Sequence, residues 1–213
     1  MNKLKLALCF VLLGLIASPS FAQSKKKKKS KKDEVVMLST SYGTIHILLY
    51  DETPLHKANF LKLAKEGFYD SLIFHRVLKD FVVQGGDPNS RPGTEGEVGK
   101  GGPGYTVEAE IVESLKHDYG AIGAARQGDR MNPERRSSGS QFYIVQAKDG
   151  SHHLDDSYTV FGTVIKGMEA VDKIAEQNVR RGGRPVEDIR MAMKVVKLSK
   201  KKITKLYEYQ FPE

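Results

Sequence analysis

The chain reads as a mainly β domain, a closed antiparallel barrel whose ends are plugged by two α-helices. Three observations predict it. Short β-branched or apolar runs recur from residue 35 to residue 198, only two segments carry helical spacing, and glycine-rich or polar stretches punctuate the runs. With 213 residues the chain fits one domain plus appendages, and its body is large enough to bury a core.

The appendages come first. Lys3 and Lys5 precede an apolar run from Leu6 to Ala17, and Ser20-Phe21-Ala22 sets small residues around a cleavage point, so residues 1–22 are expected to be a secretory leader. The run falls short of the roughly 20 residues that a membrane-spanning helix needs. Cys9, the single cysteine, lies inside that run behind Leu8, whereas acylation needs a cysteine just after it. Loss of the leader leaves no thiol, which excludes disulfides, thiolate metal sites and cysteine nucleophiles.

Residues 23–33 carry seven lysines broken only by Ser30, a self-repelling run expected to be a disordered tether. Weak contact with an anionic membrane suits it; nucleic acid does not, because no aromatic side chain is interleaved for stacking. Without the nine lysines that precede position 33, the net charge of +8 becomes −1 for residues 33–213. The folded body is therefore near neutral. Export to a bacterial envelope follows as the expectation, with the periplasm first and the medium second, and the chain is taken as a monomer.

The body spans residues 34–198. Val35 to Leu38 and Thr44 to Leu49 are strands joined by the hairpin Ser41-Tyr42-Gly43. Thr53-Pro54 then opens a helix, with Phe60, Leu63 and Ala64 at i, i+3, i+4 and Gly67 as its stop. Strands follow at Leu72 to Val77, Phe81 to Val83, Ala121 to Ala125, Phe142 to Val145 and Val160 to Ile165. Met168, Val171, Ile174 and Ala175 mark the second helix, and Ile189 to Leu198 the last strand. Gly93 to Gly104 and Gln127 to Ser138 are loops, where binding residues concentrate. Residues 199–213 form a basic extension. Lys194, Lys197, Lys200, Lys201, Lys202 and Lys205 are read as a solvated edge of the final strand.

Two stretches carry more than fold. Phe74-His75-Arg76 followed by Phe81-Val82-Val83-Gln84-Gly85-Gly86-Asp87, with Gly139-Ser140-Gln141-Phe142-Tyr143 and Val160-Phe161-Gly162 downstream, resembles the cyclophilin family of peptidyl-prolyl isomerases over about residues 35–198. The resemblance implies an eight-stranded barrel with two capping helices and a shallow proline-binding groove. It places Arg76 at the catalytic position, with Gln84 on the substrate carbonyl and His75 beside the groove as a positioning residue. Phe81, Val82, Tyr143 and Leu154 would line the proline pocket, and Gln141 would lie in the groove. Ala125 and Arg126 would pair with the peptide backbone. His153 and Tyr158 stand on the wall, where tryptophan and histidine are usual. Val82 replaces a frequent methionine, Tyr143 a usual phenylalanine and Arg126 a common asparagine.

No cofactor, metal or nucleophile is called for, because rotation about an imide bond transfers no proton and forms no covalent intermediate. The expected partners are proline-containing unfolded or flexible polypeptides. A proline-peptide binding module or holdase with little catalysis is the alternative. Gly99-Lys100-Gly101-Gly102-Pro103-Gly104 lacks the strand and helix that flank a phosphate loop. His152-His153 with Asp155-Asp156 fits no standard metal spacing. Phe142 and Phe161 are assigned to the core, and Gly85-Gly86-Asp87 to turn chemistry. The four arginines Arg126, Arg130, Arg135 and Arg136 suggest a preference for acidic residues flanking the proline.

Overall fold

The computed structural model describes residues 31–212, so the expected leader and most of the lysine tether lie outside the described residues. Ten strands and three helices follow in order. They are β1 (Lys32–Thr40), β2 (Gly43–Leu49), α1 (Pro54–Lys65), β3 (Phe74–Leu78), β4 (Val82–Gly85), β5 (Thr106–Val107), β6 (Ala121–Ala124), β7 (Ser137–Ser138), β8 (Phe142–Val145), β9 (Val160–Lys166), α2 (Met168–Ala175), β10 (Ala192–Ser199) and α3 (Lys200–Tyr207). Eight of the strands form one antiparallel sheet in the order β10-β1-β2-β9-β6-β8-β4-β3, and β5 pairs with β7 in the loops.

The sheet is an open half-barrel, which corrects the closed barrel expected from the sequence. Its two edges meet at one isolated bridge, Ile73 to Arg190, with Ser71 N–H to Met191 O at 2.9 Å, Met191 N–H to Leu72 O at 2.8 Å and Phe74 N–H to Ile189 O at 3.0 Å. Extending that register would set Val77 opposite Val186. Val186 instead donates its N–H to Asn178 O, and Arg180 N–H bonds Arg184 O, so this stretch spends its backbone groups on its own turn. Val77 N–H is met by Gly183 O at 2.7 Å. A ladder between β3 and β10 therefore has no partners to use.

The inner face carries the core, with Leu38, Ile47, Phe60, Tyr69, Phe74, Phe142 and Ile144 all buried. Phe142 and Phe161 belong to it, as expected. α1 packs against β9 and β10, and α2 against β2, β3 and β4. The hairpin turns at Gly43, whose φ of +135° suits glycine.

Helix α1 begins and ends where its sequence markers stand, but its first amides are satisfied from far along the chain. Thr53 occupies the N-cap position, yet its hydroxyl is buried and makes no hydrogen bond. The orphan amides are taken by Glu110, whose carboxylate accepts Leu55 N–H at 3.0 Å and His56 N–H at 2.9 Å and stands 2.7 Å from His56 Nδ1. Glu110→Ala is expected to lower the unfolding free energy by about 1–2 kcal/mol, the usual worth of a lost cap. A shifted urea midpoint would report it, and an unmoved one would show that water serves equally well.

The basic extension holds a third helix that the sequence reading did not assign. Ser199 caps α3, accepting Lys202 N–H at 3.2 Å. Ile203 is fully buried against Val35 and Leu48 on the outer face of the sheet, with Tyr207, Tyr209 and Phe211 beside it. The lysines Lys201, Lys202 and Lys205 are exposed, as the reading of a solvated surface expected. No helix among the described residues is long and apolar enough to cross a membrane.

Candidate active site

Strands β6 and β8 are buried on both faces, which is why their sequences read as unbroken apolar runs, and β4 is buried on both faces at Val82 and Val83. Phe142 and Ile144 point to the inner core, while Tyr143 and Val145 join an outer cluster with Val82, Ala121 and Val160. Phe81, Ala125, Leu154 and Tyr158 pack against that second cluster without being fully covered. Phe81, Val82, Tyr143 and Leu154, which the resemblance assigns to a proline pocket, thus fall in one cluster.

Arg76 reaches this face because β3 is irregular. Phe74 pairs with Gly85 and Arg76 with Gln84, so His75 is one extra residue in the ladder. Strict alternation would send Arg76 to the same side as Phe74, into the core. The bulge lets Phe74 and Val77, three residues apart, both enter the inner core, and it turns Arg76 outward beside Gln84. Sequence alone shows no mark of it.

A directed chain of amides then fixes the guanidinium. Gln141 Nε2 donates to Gly99 O at 3.2 Å and Gly101 O at 2.8 Å, which leaves its Oε1 to accept Gln84 Nε2 at 3.2 Å. Gln84 Oε1 is thereby turned to Arg76 Nη1, 3.2 Å away. The loop at the far end is held by Asp87, fully buried, whose carboxylate accepts the N–H groups of Asn89, Gly99 and Gly101. Asp87, read from the sequence as turn chemistry, thus also anchors the loop on which Gln141 rests.

No carboxylate among the described residues lies within 4.0 Å of Arg76, and its Cζ stands 5.9 Å from the centroid of the Phe81 ring. The charge is half-buried and uncompensated at the rim of an apolar surface. His75 is buried, and burial pushes its pKa down to about 4, with Asp87 opposing and Arg184 and Arg76 assisting. It is neutral at physiological pH. His153 stacks on Phe81 with ring centroids 5.4 Å apart, extending this face.

Two expectations on the polar side are narrowed. Ala125 N–H bonds Gln141 O at 3.0 Å and its carbonyl accepts Ser138 N–H at 2.8 Å, so main-chain pairing with a peptide would fall to Arg126. The arginine loop is largely neutralised from within. Arg126 and Arg135 share Asp129 at 2.6 and 3.3 Å, Arg136 faces Glu108 at 3.5 Å, and Arg126 also bonds Ser157 O and lies over Tyr158. Arg130 stays exposed, so the expected preference for acidic flanking residues is narrowed to fewer cations. Two positions escaped sequence reasoning altogether: Gly123, under Tyr143, and His117, behind it.

A curved sheet with an apolar cluster on its outer face, and beside it an arginine that meets no carboxylate among the described residues, is an arrangement suited to a small apolar unit beside a fixed cation. Comparison with known proteins gives that arrangement its family. The family model described as cyclophilin type peptidyl-prolyl cis-trans isomerase/CLD matches residues 35–196. Peptidyl-prolyl cis-trans isomerase CYP18-1 of Arabidopsis thaliana is 41% identical over 161 residues, covering 73% of this chain and 91% of that protein. Peptidyl-prolyl cis-trans isomerase-like 2 of Cryptococcus neoformans is 38% identical over 174 residues, and the match spans 78% of this chain but only 28% of that longer protein. A crystal structure of a cyclophilin type isomerase from Cryptosporidium parvum, in the presence of the dipeptide Ala-Pro, superposes with a TM-score of 0.66 at 29% identity. It covers 78% of this chain and 99% of that one. The chain belongs to the cyclophilin-type peptidyl-prolyl cis-trans isomerase family, an enzyme class.

Proposed function

We propose that this chain accelerates rotation about Xaa-Pro bonds, with Arg76 as the catalytic residue and the Phe81–Val82–Tyr143–Leu154 face as the proline pocket. The planar imide resists rotation by roughly 20 kcal/mol because its C–N bond has partial double-bond character. As the bond twists, the prolyl nitrogen becomes pyramidal and gains a lone pair. A donor aimed there binds the twisted state better than either planar one, which is the condition for catalysis. Arginine remains charged at any working pH, and its planar fork holds direction.

The observation that carries this reading is the unneutralised Arg76 guanidinium, oriented by Gln84 and Gln141 beside the apolar groove. A barrier lowered by about 7 kcal/mol corresponds to about 10⁵-fold faster exchange. His75 serves by packing, since a neutral buried imidazole carries no proton through a reaction that moves none. Exchange spectroscopy on an Ala-Pro peptide tests the proposal: catalytic amounts of protein should collapse the slow cis–trans exchange, and an unchanged rate would leave only a binding module.

The substrates proposed are unfolded or flexible exported polypeptides met in a bacterial envelope. The composition of residues 1–22 supports this, as does the lysine run that follows, suited to a weak anionic membrane contact. Mass analysis of the protein recovered from the envelope should give an N-terminus at Gln23; an intact Met1 on cytosolic protein would refute the export.

A further inference from the structure

We propose that His117, backed by Asp155, is the positioning residue that seats Tyr143 in the wall of the proline pocket proposed above. The inference rests on the groove reading above. Hydrocarbon would suffice for an apolar wall, yet this side chain is 4% exposed and carries a hydroxyl, which must find a partner when buried.

The partner is His117, fully buried, whose Nε2 lies 2.8 Å from Tyr143 Oη. On the other side of the imidazole, Nδ1 stands 2.7 Å from Asp155 Oδ1, which also accepts the His117 backbone N–H at 2.9 Å. A carboxylate on Nδ1 makes that nitrogen the donor. Nε2 is then the acceptor, and the phenol O–H donates to it. The two ring planes lie 14° apart.

The seat itself is cut by Gly123. Residue 123 pairs with Tyr143 across β6 and β8, and a Cβ there would stand 2.5 Å from Oη, overlapping the ring. Tyr158 closes the far side edge-on, its centroid 6.3 Å away, and is itself covered by Arg126 at 4.3 Å. A missing side chain below, a nitrogen at the tip and a ring at the edge leave Tyr143 one position.

The charged and titratable groups facing His117 are Asp155, His152, His153 and Tyr143, with Lys116 at 4.0 Å from Asp155 and Asp118 beside His152. Burial lowers the His117 pKa against the pull of Asp155, which favours the neutral acceptor form. Burial likewise drives the Tyr143 phenol far up, so it stays a donor.

A seated wall grips the pyrrolidine ring in the planar and twisted states alike. Loosening it should therefore raise KM and spare kcat, the opposite of what removing Arg76 does. In the full chain at neutral pH, Tyr143→Phe is expected to raise KM for an Ala-Pro peptide about three- to tenfold with kcat within about twofold of wild type. Gly123→Ala keeps every polar partner but fills the seat, and should move KM in the same direction. Nitrogen NMR should show His117 as the Nδ1–H tautomer with a hydrogen-bonded Nε2, and that bonding shift should vanish in Tyr143→Phe.

An unchanged KM in Tyr143→Phe, or an Nε2–H tautomer, overturns the seating. If Arg76→Ala abolishes turnover while Tyr143→Phe is silent, the seating alone fails. If Arg76→Ala is silent too, the groove reading falls and this inference with it.

Discussion

Arg76→Ala is expected to lower kcat/KM by about 10²–10³-fold, the usual cost of removing one donor aimed at charge that develops only in the transition state. The fall should lie in kcat. Peptide affinity should change little, because in the proposed pocket Phe81, Val82, Tyr143 and Leu154 would hold the ring without the guanidinium. Arg76→Lys should recover little of the loss. An ammonium retains the charge but cannot present a rigid fork to Gln84 Oε1, 3.2 Å away, and to a substrate nitrogen together. Protease-coupled kinetics and direct exchange spectroscopy measure both variants. Equal turnover by wild type and Arg76→Ala would end the assignment of Arg76 as the catalytic residue, whereas no turnover by either would leave a proline-peptide binding module or holdase.

The largest loss of stability is expected from Phe60→Ala. Phe60 projects from α1 into the inner core, 3% exposed, with its ring centroid 5.0 Å from Tyr69, 5.3 Å from Phe142 and 5.5 Å from Phe161. Truncation removes burial and edge contacts together and opens a cavity behind β8, the strand that carries Tyr143 on its other face. Such changes cost about 3–5 kcal/mol, and in a domain of this size that lowers Tm by about 10 °C. A urea or thermal transition displaced by less than a quarter of this would mean that α1 collapses onto the vacated space.

How much of this was legible depends on the range of the interaction. Pro54 and Gly67 bound α1 through their own backbone restrictions, and the Tyr42-Gly43 turn needed only the permissiveness of glycine. Those are local effects, written in one or two residues. The N-cap position of α1 was legible at Thr53, but the carboxylate that takes its amides was not, because Glu110 stands 54 residues away from His56 in the chain, where no neighbouring pattern announces it. Helix α3 was passed over for another reason. Ile203 and Tyr207 are spaced for a helix, but the surrounding lysines made the segment look like solvated edge, and only Val35 and Leu48 supply the surface that Ile203 buries against.

The groove divides along the same line. Arg76, Gln84, Gln141 and the apolar wall were named from their motif, and the structure brings them onto one face. His117 and Gly123 were not, since a histidine in a loop and a glycine in a strand have no periodicity that ties them to Tyr143.

By itself the amino-acid sequence determined the residue chemistry: which side chains are cationic, apolar or turn-forming, roughly where eight strands and two helices run, and which family's motif they compose. Tertiary structure decided which of those groups meet. One extra residue in β3 sends Arg76 outward, and a self-satisfied turn at residues 178–186 keeps the sheet from closing. The physical reason is that propensity and hydrophobic period act over a few residues, whereas bulges, long-range caps and seats are settled by backbone hydrogen bonds and close contacts between distant segments.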